Sequence, residues 1–309
     1  MAHQEQDWKD QIKRIANGVR RRVLEFTLRN GGGYLSQACS SAEILSTLYG
    51  KIMNLGPSIS PRIPLPFAGV PSKNNKDYFT GAGYNGPKEP HLDRFFLSPV
   101  HYALVLYAVL VETDRMAPEG LEMFNKDGSS VEMIGADHSP GHELMSGSLG
   151  QTLSQVLGIA LARKRKGETG KNWVMMSDGE FMIGQTWEAV ETLSFYALDS
   201  VCVFIDANGQ SADGKIETVN QIEPLKSRLE SFGAVAVEID GHNIEQIVEA
   251  ANVQHVGKPL FVIARTRPYC GIDILEKRAP KFHYVRISNE QEKQELENFL
   301  RQRFGGAEK

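Results

Sequence analysis

The sequence is short of cysteine and of long apolar runs, and it carries no block of like charge. Three cysteines in 309 residues, Cys39, Cys202 and Cys270, stand far apart, and no two share a metal-ligand spacing. That excludes a disulfide-stapled scaffold and a cysteine-based zinc site, and it fits a reducing compartment. The longest apolar stretch, about Tyr102 to Val111, is far short of the ~20 residues a membrane helix needs. The N-terminus, MAHQEQDWKDQIKR, is polar and charged rather than secretory. A cytoplasmic protein with no membrane partner is therefore expected. Net charge is −4, from 34 basic and 38 acidic side chains, and no basic tract supports nucleic-acid binding. The densest basic run, Arg163 to Lys166, ends a helical pattern and is expected to be a solvated helix C-terminus.

What is present is enough apolar material, 41% of residues, to build a sizeable core. Four zones follow one another. About Trp8 to Met53 reads as helical, with Ile12, Ile15, Val19, Val23 and Phe26 on one face until Asn30-Gly31-Gly32-Gly33 stops the pattern. A second helix is expected after it, with Ser40 or Ser41 as N-cap. About Gly56 to Pro90 holds so many prolines and glycines that regular structure is excluded, and a loop of this length is usually functional or mobile. About His91 to Ala264 alternates helical stretches with four β-rich runs. These are Trp173 to Met176, Val201 to Ile205, Val235 to Ile239 and Leu260 to Ala264. That alternation predicts a parallel sheet with crossover helices. About Arg265 to Lys309 is a polar loop and then a charged helix, about Asn289 to Phe304.

The chemistry-bearing segment is MSDGEFMIGQTWEAVETLSFYALDSVCVFIDANGQSADG. One apolar strand ends on Ser177-Asp178-Gly179, a helix follows through about Tyr196, and a second strand ends on Asp206-Ala207-Asn208-Gly209-Gln210. Two neighbouring strand ends would each deliver an oxygen-bearing side chain, Asp178 and Asn208, to the edge where ligands of such sheets sit. Gly179 opens a helix whose free N–H groups attract phosphate. One carboxylate, one amide oxygen and a backbone carbonyl suit a hard cation such as Mg²⁺ that bridges protein and diphosphate. Asp-Gly and Asn-Gly are also ordinary turn dipeptides, so the segment alone leaves a turn and a site both open.

The segment resembles the thiamine diphosphate motif, with Ser177 in place of the first glycine and Asp178 and Asn208 at the family's spacing. The flanks resemble transketolase in particular. They are Asp93-Arg94-Phe95-Phe96-Leu97-Ser98-Pro99-Val100-His101, Pro140-Gly141-His142-Glu143, Ser146-Gly147-Ser148-Leu149-Gly150-Gln151, and the loop from Gly271 through Glu276 to His283. The resemblance covers about residues 20 to 285. It implies an α/β fold: a doubly wound parallel sheet with helices on both faces, the transketolase-type diphosphate-binding domain, spanning 1–309 as one domain. It implies thiamine diphosphate with Mg²⁺ (or Ca²⁺ or Mn²⁺ in its place). Asp178 and Asn208 would bind the metal by side chains and Gln210 by its carbonyl. His101, Gly147, Ser148, Leu149, Gly179, Glu180 and His283 would contact the cofactor, with Tyr34, His101 and His283 at the reacting centre. Glu188 would face a dimer interface. A full transketolase chain is far longer. The implied protein is thus the N-terminal subunit of a split enzyme, inactive alone. With a C-terminal, pyrimidine-binding partner it would form a heterotetramer that moves a two-carbon ketol unit from a ketose to an aldehyde.

Departures accompany the match. Tyr34 stands where the family carries a substrate-contacting histidine, and a phenol with a reference pKa near 10 is a poor base. Met133 or Ile134 falls where a second histidine is normal, with His138 able to compensate from the loop. Ile183 replaces an acidic residue that links two active sites. The proline-rich segment is read as a lid or a subunit contact. Together these imply a non-standard sugar substrate. The diphosphate motif is shared with the α-chain of 2-oxo acid dehydrogenase E1 enzymes, but the Arg-Phe-Phe-Leu-Ser and Ser-Gly-Ser-Leu-Gly-Gln segments favour transketolase. A non-catalytic regulatory homologue is the other reading, against which Asp178, Asn208 and His101 are intact. His242 is read as a turn residue, His138 and His142 as near the substrate channel without a role, and the cysteines as packing residues or inert thiols.

Overall fold

The computed structural model describes residues 2–305; residues 1 and 306–309 of the expected 1–309 domain lie outside them. The chain begins with helix α1 (Ala2–Asn30), a two-residue strand β1 (Gly32–Gly33) and helix α2 (Leu35–Thr47). Long irregular chain leads to strand β2 (Arg94–Leu97), α3 (Ala103–Glu112), a short α4 (Pro118–Leu121) and α5 (Thr152–Arg165). Then come β3 (Asn172–Ser177), α6 (Gly184–Phe195), β4 (Val201–Ala207), the small pair β5 (Gln210–Ser211) and β6 (Gly214–Lys215), α7 (Ile216–Val219) and α8 (Leu225–Ser231). Strand β7 (Val235–Asp240), α9 (Ile244–Ala251), β8 (Leu260–Arg265), β9 (Val285–Arg286) and α10 (Glu290–Phe304) complete it.

Five strands form one sheet in the order β2-β3-β4-β8-β7, every pair parallel. Each residue of β3 and β4 is buried, as a parallel sheet covered on both faces requires. Side chains alternate between two cores. Trp173, Met175, Cys202 and Phe204 join the α1, α2 and α3 side, and Val174, Met176, Val203 and Ile205 join the α5, α6 and α8 side. Among the described residues no helix is long and apolar enough to cross a membrane.

Four strands and the last helix fall where the sequence pattern puts them. Strand β2 is additional; as a four-residue edge strand it is too short to stand out as an apolar run. Ser40 and Ser41 are not caps. Helix α2 starts five residues earlier, after Tyr34, and both serines are buried in its interior. The helix expected directly after Asp178 is broken into a 3₁₀ turn, Asp178–Met182, and α6.

The basic run is not uniformly solvated either. Arg163 is buried and donates to Glu168, Asn172 Oδ1 and the carbonyls of Leu92 and Lys171. It ties the end of α5 to the start of β3. Arg163→Ala is expected to cost about 3 kcal/mol, because Glu168 and two carbonyls lose their donor; a urea midpoint measures it.

The 56–90 segment is irregular apart from a 3₁₀ turn, Gly81–Asn85, but it is packed down. Phe67 N–H donates to the Gly128 carbonyl (2.9 Å) and Ser130 Oγ to the Leu65 carbonyl (2.6 Å). Tyr84 hydroxyl donates to the Pro61 carbonyl (2.6 Å). Ile59, Ile63 and Val70 remain exposed along it.

Candidate functional site

Register places Ser177 beside Asp206, and Asp206 beside Ala264, so the carboxyl ends of β3, β4 and β8 are level. The loops leaving β3 and β4 meet there. Asp178, 3% exposed, accepts from its neighbour Gly179 N–H (Oδ1, 2.9 Å) and from Gly209 N–H (Oδ2, 2.7 Å). Gly209 makes this bond by turning through φ +69°, where a side chain would be strained. Asn208 Oδ1 accepts from Gln210 N–H (2.9 Å), and its Nδ2 donates to Asp206 Oδ2 (3.3 Å) and Tyr102 hydroxyl (3.2 Å).

Asp206 is the residue that sequence reasoning missed. It is fully buried and accepts from Ser40 Oγ (2.5 Å), Tyr102 hydroxyl (2.7 Å), Thr266 Oγ1 and Asn208. Its work is to fix which way the Asn208 amide points. The signal was there: an aspartate closing an all-apolar strand has to be compensated by partners. Burial, then the charge of Asp206, hold Asp178 well above the usual carboxylate range. Burial likewise raises Asp206. The Asp178 carboxylate, the Asn208 amide oxygen and an unpartnered, buried Gln210 Oε1 make a set of oxygen donors. That set fits Mg²⁺ or a similar hard ion.

Asp178, Gly179, Asn208 and Gln210 line a cavity of about 290 Å³. Gly147, Leu149 and Ile134 form part of its wall, and so do Ser36 and Gln37, whose Oγ and Oε1 are buried without partners. Tyr34, His101 and His283 close its other end. Three distant segments bring them together. Strand β1 pairs antiparallel with β9, Gly33 opposite Val285, which sets Tyr34 beside His283 and Tyr284. Gln37 Nε2 holds the His283 carbonyl (3.0 Å). His101 arrives on the turn beyond β2. Ring centroids are 5.4 Å apart for Tyr34–His101, 5.6 Å for Tyr34–His283 and 5.0 Å for His101–His283. Burial, then the neighbouring His283, lowers His101 to about 3, and burial lowers His283. Both rings are neutral at pH 7 and act as hydrogen-bonding groups rather than cations. Burial raises the Tyr34 phenol.

Two expected contact residues do not reach this cavity. Glu180 is fully buried and turned inward, accepting from Ser98, Ser177 and Gly150. Ser148 is exposed outside the wall that Gly147 and Leu149 form. Nor does His138 compensate for the missing histidine. It sits between Glu132 (3.0 Å) and the ring of Phe67 (4.6 Å), while Ile134 fills the cavity wall. His142 is buried on the Pro140 carbonyl (3.2 Å) and lowered by burial to about 4. Glu188 is exposed on α6.

Away from the cavity, His242 accepts Arg267 N–H on Nε2 (2.8 Å) and faces Glu43 through Nδ1 (3.1 Å). Glu43 also pairs with buried Arg20 (2.5 Å). Cys270 joins this group, its sulfur within 4.8 Å of the Glu43 and His242 ligand atoms. Unlike buried Cys39 and Cys202 it is half-exposed, and its thiol is lowered beside His242 despite burial, which departs from an inert packing residue. Arg20 and the Arg267 amide already occupy Glu43 and Nε2, so the group ties the 266–283 loop to α2.

Residues 76–278 match the family described as transketolase, thiamine diphosphate binding domain. A transketolase family protein of Sinorhizobium fredii is 32% identical over 276 residues, which are 88% of this chain and 89% of that one. One of the subunits of the apulose-4-phosphate transketolase of Actinobacillus succinogenes is 28% identical over 281 residues, 89% of this chain and 91% of the relative. Among solved structures, transketolase of Campylobacter jejuni superposes with a TM-score of 0.75 at 22% identity, covering 96% of this chain and 43% of that one. The chain therefore spans less than half of that transketolase, and about nine tenths of each of the two shorter relatives.

Proposed function

The chain belongs to the transketolase family, through its thiamine diphosphate-binding domain, and on that premise we propose that it is the N-terminal subunit of a split ketol-transferase. Residues 1–309 form one diphosphate-binding domain in this reading. The carrying observation is the Asp178–Gly209 bond, which joins the two strand-end loops around an oxygen-only donor set. Asp178, Asn208 and the Gln210 carbonyl would hold Mg²⁺ and through it the diphosphate, beside Gly179. Gly147 and Leu149 would wall the cofactor rings. When bound, thiamine diphosphate supplies the reactivity that makes and breaks a carbon–carbon bond beside a carbonyl. His101 and His283, both neutral, would hydrogen-bond substrate hydroxyls, and Tyr34 would donate a hydrogen bond there.

A C-terminal partner chain supplies the pyrimidine-binding half, and two copies of each would assemble in the cytoplasm. The substrate is a small sugar of non-standard kind. Tyr34 and Ile134 leave the reacting end with two imidazoles, so an ordinary ketose donor loses contacts that polar side chains would have made.

Calorimetry with thiamine diphosphate and Mg²⁺, with and without the co-expressed partner, tests the reading. Tight binding and ketol transfer are expected only for the pair. With the pair in hand, xylulose 5-phosphate should turn over slowly, and Tyr34→His should raise its kcat/KM roughly tenfold by restoring one such contact. Fast wild-type turnover of that donor would remove the non-standard substrate. Absence of cofactor binding in the pair would leave a regulatory homologue.

A further inference from the structure

The tie between α2 and the 266–283 loop holds a reactive grouping away from the cofactor cavity. Cys270 is partly exposed. It lies in a turn where its N–H meets the Arg267 carbonyl (3.2 Å) and Ile272 N–H meets the Tyr269 carbonyl (3.0 Å). Its sulfur has Arg267 Nη2 at 3.9 Å and the Glu43 and His242 ligand atoms within 4.8 Å. Burial works against ionisation of this thiol, but His242 and the charge of Arg20 outweigh it and lower the thiol from its ordinary value. Cys39 and Cys202 differ in both respects. Each is 0% exposed, and burial pushes both thiols up.

Arg20 faces the same turn from inside. It is 3% exposed, and its Nη2 donates to Glu43 (2.5 Å) and to the Cys39 carbonyl (3.2 Å). Its Nε is buried with no hydrogen-bond partner among the described residues. A β-carbon built on Gly271 would come within 2.8 Å of that Nε, so the glycine, at φ +78°, lets the guanidinium reach the turn beside Cys270. A buried N–H without an acceptor is costly, and an oxygen added at this turn would relieve it.

A metal ion suits the grouping poorly. His242 Nε2 accepts the Arg267 N–H (2.8 Å), so the proton of the neutral ring sits on Nδ1, 3.1 Å from Glu43. A metal on Nδ1 would have to displace that proton and leave the ring with none, beside the Arg20 guanidinium that already neutralises Glu43.

We propose that Cys270 is an oxidation site, at which a peroxide converts the thiol to a sulfenic acid whose oxygen is received by Arg20 Nε–H. The sulfur attacks one oxygen of the peroxide. An S–O bond forms and the O–O bond breaks. With hydrogen peroxide the departing hydroxide takes up the thiol proton and leaves as water, so sulfur gives up two electrons and the peroxide accepts them. Cationic neighbours favour the thiolate that makes this attack.

The test treats the full chain at pH 7 with hydrogen peroxide, traps sulfenic acid with dimedone, and reads each cysteine by peptide mass spectrometry. Cys270 should react roughly tenfold faster than free cysteine, with Cys39 and Cys202 unlabelled. Arg267→Ala keeps the backbone N–H on His242 and should slow the reaction roughly threefold. Arg20→Lys keeps a cation for Glu43 but puts a methylene where Nε stands, and the sulfenic acid should then pass on to sulfinic acid roughly tenfold faster. Cys270 labelled no faster than free cysteine, or Cys39 and Cys202 labelled alongside it, would overturn the site, and neither comparison needs a change at Arg20. An unchanged rate in Arg267→Ala would overturn activation by the cationic surroundings, and an equally durable sulfenic acid in Arg20→Lys would overturn Arg20 as its donor. All of these are read without ligand, so none bears on the cofactor reading.

Discussion

Asp178→Asn is expected to weaken thiamine diphosphate binding in Mg²⁺ by roughly 100-fold or more while flattening the pH dependence of the ligand-free chain's stability. The first effect follows from removing the one anionic donor of a hard-cation site. The second follows from its surroundings. Asp178 is buried beside Asp206, and both carboxyls are pushed up by burial. A group whose folded pKa is raised contributes stability below its unfolded value, near 3.9 for aspartate, and loses it as pH climbs through the folded value. The ligand-free chain should therefore lose stability above about pH 4, and Asp178→Asn should flatten that slope. In the wild-type pair, saturating cofactor and Mg²⁺ should reverse it, because the cation favours both ionised carboxyls. Thermal unfolding from pH 4 to 8, with and without ligand, reads all three. A variant that binds the cofactor normally would refute the metal assignment, and one whose ligand-free stability falls with pH as steeply as that of wild type would refute the electrostatic account.

Glu180→Ala is expected to be the most damaging single change to the fold near the site, costing about 3–5 kcal/mol. The carboxylate is fully buried where three segments converge. One oxygen accepts from Ser98 Oγ and Gly150 N–H (3.1 Å), the other from Ser177 N–H (2.8 Å) and Oγ (3.2 Å). Truncation strands all of these donors without water. Glu180→Gln should recover about half, because each carboxylate oxygen accepts a backbone N–H and an amide offers only one oxygen. Should the variant fold, its cofactor affinity should fall too. Gly150 anchors the loop that carries Gly147 and Leu149 to the cavity. Denaturant unfolding and calorimetry measure the two losses. If Glu180→Gln matched wild type in both, the carboxylate would be a passive filler.

The sheet was readable because β3 and β4 are apolar on both faces, so their runs stand out whatever surrounds them. Strand β2 hid because four residues at an edge carry little pattern. Ser40 misled for a different reason. Serine signals a cap when only local chain is considered, and here it sits inside a helix and bonds to Asp206, a partner 166 residues away. Arg163 misled likewise, since a basic run says nothing about which member turns inward. Asp178 and Asn208 were legible because both follow strands of one parallel sheet. Tyr34, His101 and His283 have no local signal that joins them; only the family resemblance did. The contacts that place Glu180 and Asp206 are tertiary, and spacing cannot express them.

The short β1–β9 ladder has a consequence for how the molecule is made. Residue 32 pairs with residue 286, so Tyr34 meets its histidine neighbour only after the sheet strands between them have left the ribosome. Helices α1 and α2 can form early, but their glycine edge must stay vacant until β9 emerges. A chain that has emerged through β8 but not β9 would hold all five strands of its sheet and an open, unclasped ring of aromatics.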